Sequence, residues 1–186
     1  FDGIHIGHLE ILKKVELLSS RNKSKSVIIT FDPHPKTVLR PDLFEERYLI
    51  TTLEKKIDIF SAHNIDYLLI LPFDETLANI EAVSFLKKLI IKHFEPHDIV
   101  VWYDHHFGHN RIGDYNLLKS CSNEYDYEVH HNSQIAENGV PVASTGIRRK
   151  LASNNKSHAN QFLCCNYEIK GIVEKGDGLG VKIGFP

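Results

Sequence analysis

Four short apolar runs are the feature that most constrains the fold of this chain. They occupy residues 26–31 (SVIITF), 66–71 (DYLLIL), 98–103 (DIVVWY) and 127–131 (YEVHH). The first three are apolar almost throughout, which is typical of strands that are covered on both faces of a sheet. The pattern therefore predicts strands that lie inside a parallel sheet.

Amphipathic helical patterns lie between these runs. Apolar residues recur at helical spacing in three stretches, represented by Ile11, Leu12, Val15 and Leu18, by Leu53, Ile57 and Phe60, and by Leu86, Leu89 and Ile90. The alternation of helix and strand predicts an α/β fold with a parallel sheet and right-handed crossovers. Ligands of such sheets bind outside the carboxyl ends of the strands, so we expect the functional residues there.

Charge and cysteine content exclude several classes of protein. The net charge is −2, so no overall basic field indicates a nucleic-acid partner. No apolar run reaches the roughly 18 residues that a membrane span needs. The three cysteines, Cys121, Cys164 and Cys165, show neither a disulfide framework nor a zinc-site spacing. These features predict a protein of the reducing cytoplasm with no membrane partner.

The chain begins with the octet F-D-G-I-H-I-G-H, which has the character of a phosphate-binding turn. Gly3 permits a tight turn, and Gly7 lets a ligand approach the backbone where a helix begins. The free N–H groups of that helix, with its partial positive charge, would face the ligand. The imidazoles of His5 and His8 would project to the same place and donate hydrogen bonds to phosphate oxygens. A capped helix without a ligand is the alternative for this octet alone.

A second stretch, V-A-S-T-G-I-R-R-K-L at residues 142–151, carries groups of a similar kind. The hydroxyls of Ser144 and Thr145 suit both helix capping and phosphate binding. Arg148 lies one turn further along the helix, and its guanidinium can fork onto a phosphate. A capped surface helix is the alternative for this stretch alone, whereas the two motifs together indicate a triphosphate site.

The tetrapeptide HIGH resembles the signature of the nucleotidyltransferase superfamily, in which HxGH holds the phosphates of a nucleoside triphosphate. Class I aminoacyl-tRNA synthetases share it, but the lysine-rich segment 23–26 lies too close to be their second motif, and no room remains for a tRNA-binding domain. The segments 30–35 (TFDPHP), 103–108 (YDHHFG) and 184–186 (GFP) narrow the resemblance. With the two motifs above, they resemble the bacterial bifunctional riboflavin kinase/FMN adenylyltransferases, the FAD synthetase family.

This resemblance implies transfer of AMP from ATP to FMN, giving FAD and pyrophosphate. It implies the small-molecule substrates ATP, FMN and, for the whole protein, riboflavin, with Mg²⁺ bridging phosphate oxygens and no protein cage for the metal. The Phe107 ring is expected to pack on the flavin. The residues implied for catalysis are His5, His8, Ser144, Thr145 and Arg148. Those implied for substrate binding are Phe1, Asp2, Gly3, Gly7, Asp32, Pro33, His34, Asp104 and Phe107.

The same resemblance predicts the domain organisation. Residues 1–165 would form a Rossmann-like FMN adenylyltransferase domain of the nucleotidyltransferase type, whose first strand precedes Phe1 and is missing. Residues 166–186 would begin the antiparallel β-barrel of a riboflavin kinase domain and stop before it closes. The glycines and short alternating segments of this tail favour that interpretation.

Two residues depart from the family pattern. Trp102 stands where the family usually has glycine, and we expect its indole to crowd the flavin pocket or to alter strand packing. Ala143 replaces the first serine of the second motif and so removes a hydroxyl. Two alternatives therefore stay open: another small adenylyltransferase, such as one acting on phosphopantetheine, and a flavin- or nucleotide-binding module without catalysis.

Overall fold

The four apolar runs form strands whose ends lie within one residue of the predicted ones. The structure, a computed structural model, describes residues 1–43, 49–133, 135–137, 139–172 and 182–184. The strands are β1 (Val27–Asp32), β2 (Tyr67–Pro72), β3 (Asp98–Trp102) and β4 (Glu128–Asn132). The predicted α/β fold with parallel strands is confirmed.

The strands pair in two parallel sets. β1 pairs with β2, with Val27 opposite Tyr67, and β3 pairs with β4, with Asp98 opposite Glu128. Among the described residues these two sets are not hydrogen-bonded to each other. A short antiparallel hairpin, which the sequence did not predict, follows as β5 (Ala136–Glu137) and β6 (Val140–Pro141).

Helices alternate with the strands in the predicted order. They are α1 (Ile6–Asn22), α2 (Pro35–Leu39), α3 (Leu53–Ser61), α4 (Glu75–Ala78), α5 (Ala82–Phe85), α6 (Lys92–Phe94), α7 (Tyr115–Cys121), α8 (Ser144–Ala152) and α9 (Lys156–Phe162). A π-helical segment (Leu86–Ile91) joins α5 to α6, and 3₁₀ turns lie at Pro41–Leu43 and His109–Arg111. Within the ranges described, no helix combines the length and the apolar character that a membrane span requires.

Local side chains set where several helices begin. Thr52 Oγ1 accepts the Lys55 N–H at the start of α3, over 3.3 Å. Asp114 Oδ1 accepts the Leu117 N–H at the start of α7, over 2.9 Å. Each bond satisfies an N–H group that has no partner within its own helix. At the other end of α1, Lys23 adopts the left-handed conformation that commonly stops a helix.

In the described ranges, most of the buried apolar residues fall into three clusters, one of which supports the beginning of α1. Two clusters lie around the strands; they contain Leu86, Val101, Leu118, Tyr127 and Val129, and Ile4, Leu12, Ile28 and Phe60. In the third, Ile6 packs against a set from α8, α9 and neighbouring segments, namely Ile50, Val142, Ile147, Ala159, Phe162 and Leu163. This third cluster places the start of α1 beside α8.

The predicted start of an antiparallel barrel is not seen in the part of the tail that the structure describes. Residues 166–172 form no strand there. Residues 173–181, 185 and 186 lie outside the described ranges. The boundary near residue 165 and the kinase barrel therefore stay predictions.

Candidate active site

The turn before α1 brings the two predicted histidines together. His5 is the N-cap of α1, and its Nδ1 accepts the backbone N–H of His8 over 3.3 Å. In return, Nδ1 of His8 accepts the backbone N–H of His5 over 3.3 Å. The rings stack with their centroids 3.8 Å apart and their planes 19° apart. This reciprocal capping fixes both imidazoles at the amino end of a 17-residue helix.

These hydrogen bonds assign a tautomer to each ring. Because Nδ1 accepts a backbone N–H in both residues, each neutral imidazole carries its own proton on Nε2. Burial lowers the pKa of His5 to about 4. Burial, with repulsion from His5 when that ring is protonated, also holds the pKa of His8 well below its usual value. Both rings are therefore neutral near pH 7 and can donate hydrogen bonds through Nε2–H.

Two glycines allow the close packing of this turn. Gly3 has a φ of 58°, in the left-handed region, and its N–H donates to Thr51 Oγ1 over 2.8 Å. A Cβ added at Gly3 would lie 2.6 Å from Cδ1 of Ile50. A Cβ added at Gly7 would lie 2.7 Å from Cη2 of Trp102. Neither position accepts a larger side chain without movement of its neighbour.

Asp2 connects the two sequence motifs. Its buried carboxylate accepts the backbone N–H groups of Ile50 and Thr51, over 3.1 and 3.2 Å, and a hydrogen bond from the guanidinium of Arg148. Its backbone carbonyl accepts the hydroxyl of Ser144 over 2.8 Å. The segment just before His5 is thus attached to α8. Asp2 was predicted to bind substrate, and in the structure its side chain bonds to protein groups.

The amino end of α8 differs from the predicted one in its capping. The N-cap is Ala143, which provides no side-chain cap. The prediction that Ser144 caps α8 is wrong, because the Ser144 hydroxyl donates a hydrogen bond to the Asp2 carbonyl. Thr145 is exposed at the same end of the helix. Without a side-chain cap, the first-turn N–H groups of α8 remain available to an anion.

A cleft of about 1740 Å³ separates β1 from β3 along the length of both strands, from Ser26 and Asp98 to the residues that follow their carboxyl ends. His34, which follows β1, and Phe107, which follows β3, both line it. Asp32, Pro33 and Asp104 are not among its lining residues. The structure therefore brings together one residue from each of the two predicted flavin segments, and it leaves the other three out of the cleft wall.

Two aromatic residues of the predicted site pack on protein groups. The Phe107 ring lies 5.9 Å from that of Phe85 and 5.8 Å from that of His105, in the latter case with the planes 21° apart. The Phe1 ring lies 5.0 Å from that of His8 and 5.3 Å from that of Phe60. Phe107 thus supplies an aromatic wall to the cleft, whereas Phe1 supports the imidazole of His8.

Lys56 is a buried cation that the sequence reasoning missed. It is only 2% exposed, and its place in α3 puts it on the apolar stripe with Leu53 and Phe60. Burial lowers the pKa of His34 to about 4, and the positive charges of Arg148 and Lys56 add to this effect. The sequence contains one signal for this buried lysine, which is its position within an otherwise apolar helical stripe.

Trp102 lies at the histidine turn. Its ring centroid is 6.2 Å from that of His5 and 6.3 Å from that of His8, and the indole contacts Gly7. Trp102 is not among the residues that line the cleft. Its indole stands over the predicted phosphate site, and its effect on the flavin pocket stays a prediction.

One group of side chains in the described ranges has the spacing of metal ligands. Asp98, Glu128 and His130 offer ligand atoms within 4.8 Å of one another, and His130 Nε2 lies 2.6 Å from Asp98 Oδ1. This group lies at the amino ends of β3 and β4, whereas Trp102 and the histidine turn lie at the carboxyl end of β3. It therefore does not belong to the predicted phosphate site.

Comparisons with known proteins agree with this geometry. The family model described as FAD synthetase matches residues 1–146. The bifunctional riboflavin kinase/FMN adenylyltransferase of Escherichia coli strain K12 is 32% identical over 186 residues, which cover 100% of this chain and 59% of that protein. The protein of the same description from Listeria monocytogenes is 28% identical over 187 residues, which cover 100% of this chain and 58% of that protein. The chain thus spans less than two thirds of these relatives.

A solved structure shares the fold. It is a crystal structure described as a macrolide-efflux protein from Streptococcus pneumoniae, with a TM-score of 0.81 and 27% sequence identity. The match covers 96% of this chain and 58% of that chain.

Proposed function

Because the chain belongs to the FAD synthetase family, we propose that it transfers the AMP group of ATP to FMN, giving FAD and pyrophosphate. The attachment of Asp2 to α8 is the observation that carries this proposal. Ser144 and Arg148 both bond to Asp2, three residues before His5. The amino ends of α1 and α8 thus adjoin, and their N–H, hydroxyl and guanidinium donors suit the charge of a triphosphate.

In this reaction the protein has to align the FMN phosphate with ATP and to neutralise the charge of the phosphates. An oxygen of the FMN phosphate attacks the α-phosphorus of ATP and forms a new P–O–P bond, while the bond from that phosphorus to pyrophosphate breaks. The second pKa of a phosphate monoester is about 6, so the nucleophile is mostly dianionic at neutral pH and needs no general base. What remains is in-line positioning and stabilisation of the developing charge.

The neutral histidines suit this task. Because His5 and His8 each carry a proton on Nε2, they can donate to phosphate oxygens without first gaining a proton. Such fixed donors become more favourable as negative charge develops in the transition state. In this proposal His5 and His8 contact the α-phosphate region, and Gly7 provides the backbone approach.

The groups of α8 bind the leaving side of the nucleotide. Ser144, Thr145 and Arg148 hold the β- and γ-phosphates and then pyrophosphate. A guanidinium has five N–H donors, so the bond to Asp2 orients Arg148 toward the site and is compatible with a phosphate contact. On the other side of the reacting centre, the segments that follow β1 and β3 hold the flavin, with its rings against Phe107.

Magnesium fits this arrangement as part of the MgATP substrate. The groups at the histidine turn are hydrogen-bond donors, and the Asp2 carboxylate is engaged by Arg148. The hard oxygen ligands that Mg²⁺ prefers therefore come from ATP and water, and the ion offsets charge on the phosphates. For the whole protein, the names of the relatives support a second activity, phosphorylation of riboflavin to FMN.

One assay separates this proposal from its alternatives. The protein is mixed with FMN, ATP and Mg²⁺, and FAD and pyrophosphate are quantified together. Equal amounts of the two products support the adenylyltransferase. Binding of FMN or ATP with no pyrophosphate would indicate a binding module, which the position of Trp102 over Gly7 favours as the second candidate. Pyrophosphate release with phosphopantetheine in place of FMN would indicate the other adenylyltransferase.

A further inference from the structure

The indole of Trp102 occupies the place from which a phosphate must approach α1. Trp102 is the last residue of β3, and its Cη2 would lie 2.7 Å from a Cβ built on Gly7. Its ring also lies 6.2 and 6.3 Å from the two stacked imidazoles. The open space that a glycine leaves at the first turn of α1 is thus filled by a side chain.

This contact opposes the other features of the turn. The first-turn N–H groups of α1 and the neutral imidazoles favour an anion at Gly7. An anion and the indole cannot occupy the same space. The indole is half-buried and is not among the members of the apolar clusters, so the ring lies at the edge of the packed core, beside His5 and Tyr103.

We propose that Trp102 determines nucleotide access: in the free protein its indole covers the phosphate-binding turn, and ATP binds after the indole leaves Gly7. This inference rests on the proposed function, because it concerns the same ATP site. When only a fraction of molecules has the indole displaced, the observed ATP affinity is lower than the intrinsic affinity by that fraction. The side chain therefore lowers ATP affinity and leaves FMN affinity unaffected.

Calorimetric titration with MgATP tests this inference. Trp102→Ala should tighten ATP binding about fivefold to tenfold, as expected if the open form is a minor state of the wild type. FMN binding to the same variant should stay within about twofold of the wild type. Tyr67→Ala is the matched control, because Tyr67 is an exposed aromatic residue at the opposite, amino end of β2. Unchanged or weaker ATP binding in Trp102→Ala would overturn the inference.

A fluorescence measurement on the wild type tests the same movement without relying on the folding of a variant. Trp102 is the single tryptophan of the chain, and Trp102→Phe provides the blank for other emission. MgATP should shift the Trp102 emission to the red and increase its quenching by acrylamide, because the indole moves into water. If ATP binds and this emission does not change, the gating fails while the proposed function stands. If ATP binds neither the wild type nor Trp102→Ala, both proposals fail.

Discussion

The guanidinium of Arg148 donates a hydrogen bond to the buried carboxylate of Asp2, although 146 positions separate the two residues in the chain. Asp2 lies in the segment that leads to the histidine turn, and Arg148 lies on α8. The ion pair therefore fixes the distance between the two groups of phosphate-binding donors. It also leaves the buried carboxylate fully partnered, since backbone N–H groups from a third segment bond to the same oxygens.

Removal of the Asp2 carboxylate should destabilise the protein strongly. Asp2→Ala removes the carboxylate that pairs with Arg148 in a partly buried place and that accepts the N–H groups of Ile50 and Thr51. Loss of one partner of a buried pair costs about 3–5 kcal/mol. Urea denaturation followed by circular dichroism measures the effect.

An exposed ion pair provides the control for this substitution. Glu10 and Lys13 form a salt bridge of 2.6 Å whose side chains are 45% and 67% exposed. Glu10→Ala should change the free energy of unfolding by no more than about 0.5 kcal/mol, because solvent screens such pairs. Equal effects of Asp2→Ala and Glu10→Ala would show that the Asp2 pair does not hold the two motifs together.

Two glycine substitutions should have opposite effects on stability. Gly3→Ala forces a side chain into the left-handed region, at a cost of about 1–2 kcal/mol, and brings its Cβ to 2.6 Å from Ile50. Gly146 lies within α8, and a Cβ there meets no atom within 4 Å. Gly146→Ala should therefore stabilise the protein by about 0.5–1 kcal/mol. Thermal unfolding of both variants checks the prediction, and destabilisation by Gly146→Ala contradicts the described geometry of α8.

Stability should fall when the pH is lowered from 6.5 to 4. Burial lowers the pKa of His5 from 6.5 to about 4 in the folded protein, so the unfolded chain binds more protons in this interval. Stability therefore rises with pH across it, and a single such histidine accounts for about 2 kcal/mol between pH 5 and pH 7. His5→Gln should reduce the slope of unfolding free energy against pH. An unchanged slope would mean that His5 is not held neutral.

The sequence predicted the strands and the histidine turn because their signals are local. Strands such as β1 are almost continuously apolar, and the spacing of His5 and His8 puts both on one turn of a helix. The bond between Asp2 and Arg148 had no local signal, since it depends on how α8 packs against the start of α1. For the same reason the hydroxyl of Ser144 was predicted to cap its helix, although it bonds to the Asp2 carbonyl.

Side-chain direction at the end of β3 shows another limit of the sequence. The position of Trp102 at a strand end was predictable, because the apolar run stops there. Whether the indole turns toward the cleft or toward α1 depends on the space left by Gly7, which is distant in sequence. The sequence therefore predicted crowding of the flavin pocket or altered strand packing, and the structure adds a contact at the predicted phosphate site.

The most direct test of the proposed chemistry is the rate of FAD formation by His8→Ala. We expect kcat to fall by a factor of about 10² to 10³, or roughly 2.7–4 kcal/mol of barrier, because one donor to the developing charge is lost. His63→Ala, at the end of α3 and outside the described site, should keep the wild-type rate. Near-normal FAD synthesis by a folded His8→Ala would contradict the assignment of the histidine turn to the triphosphate.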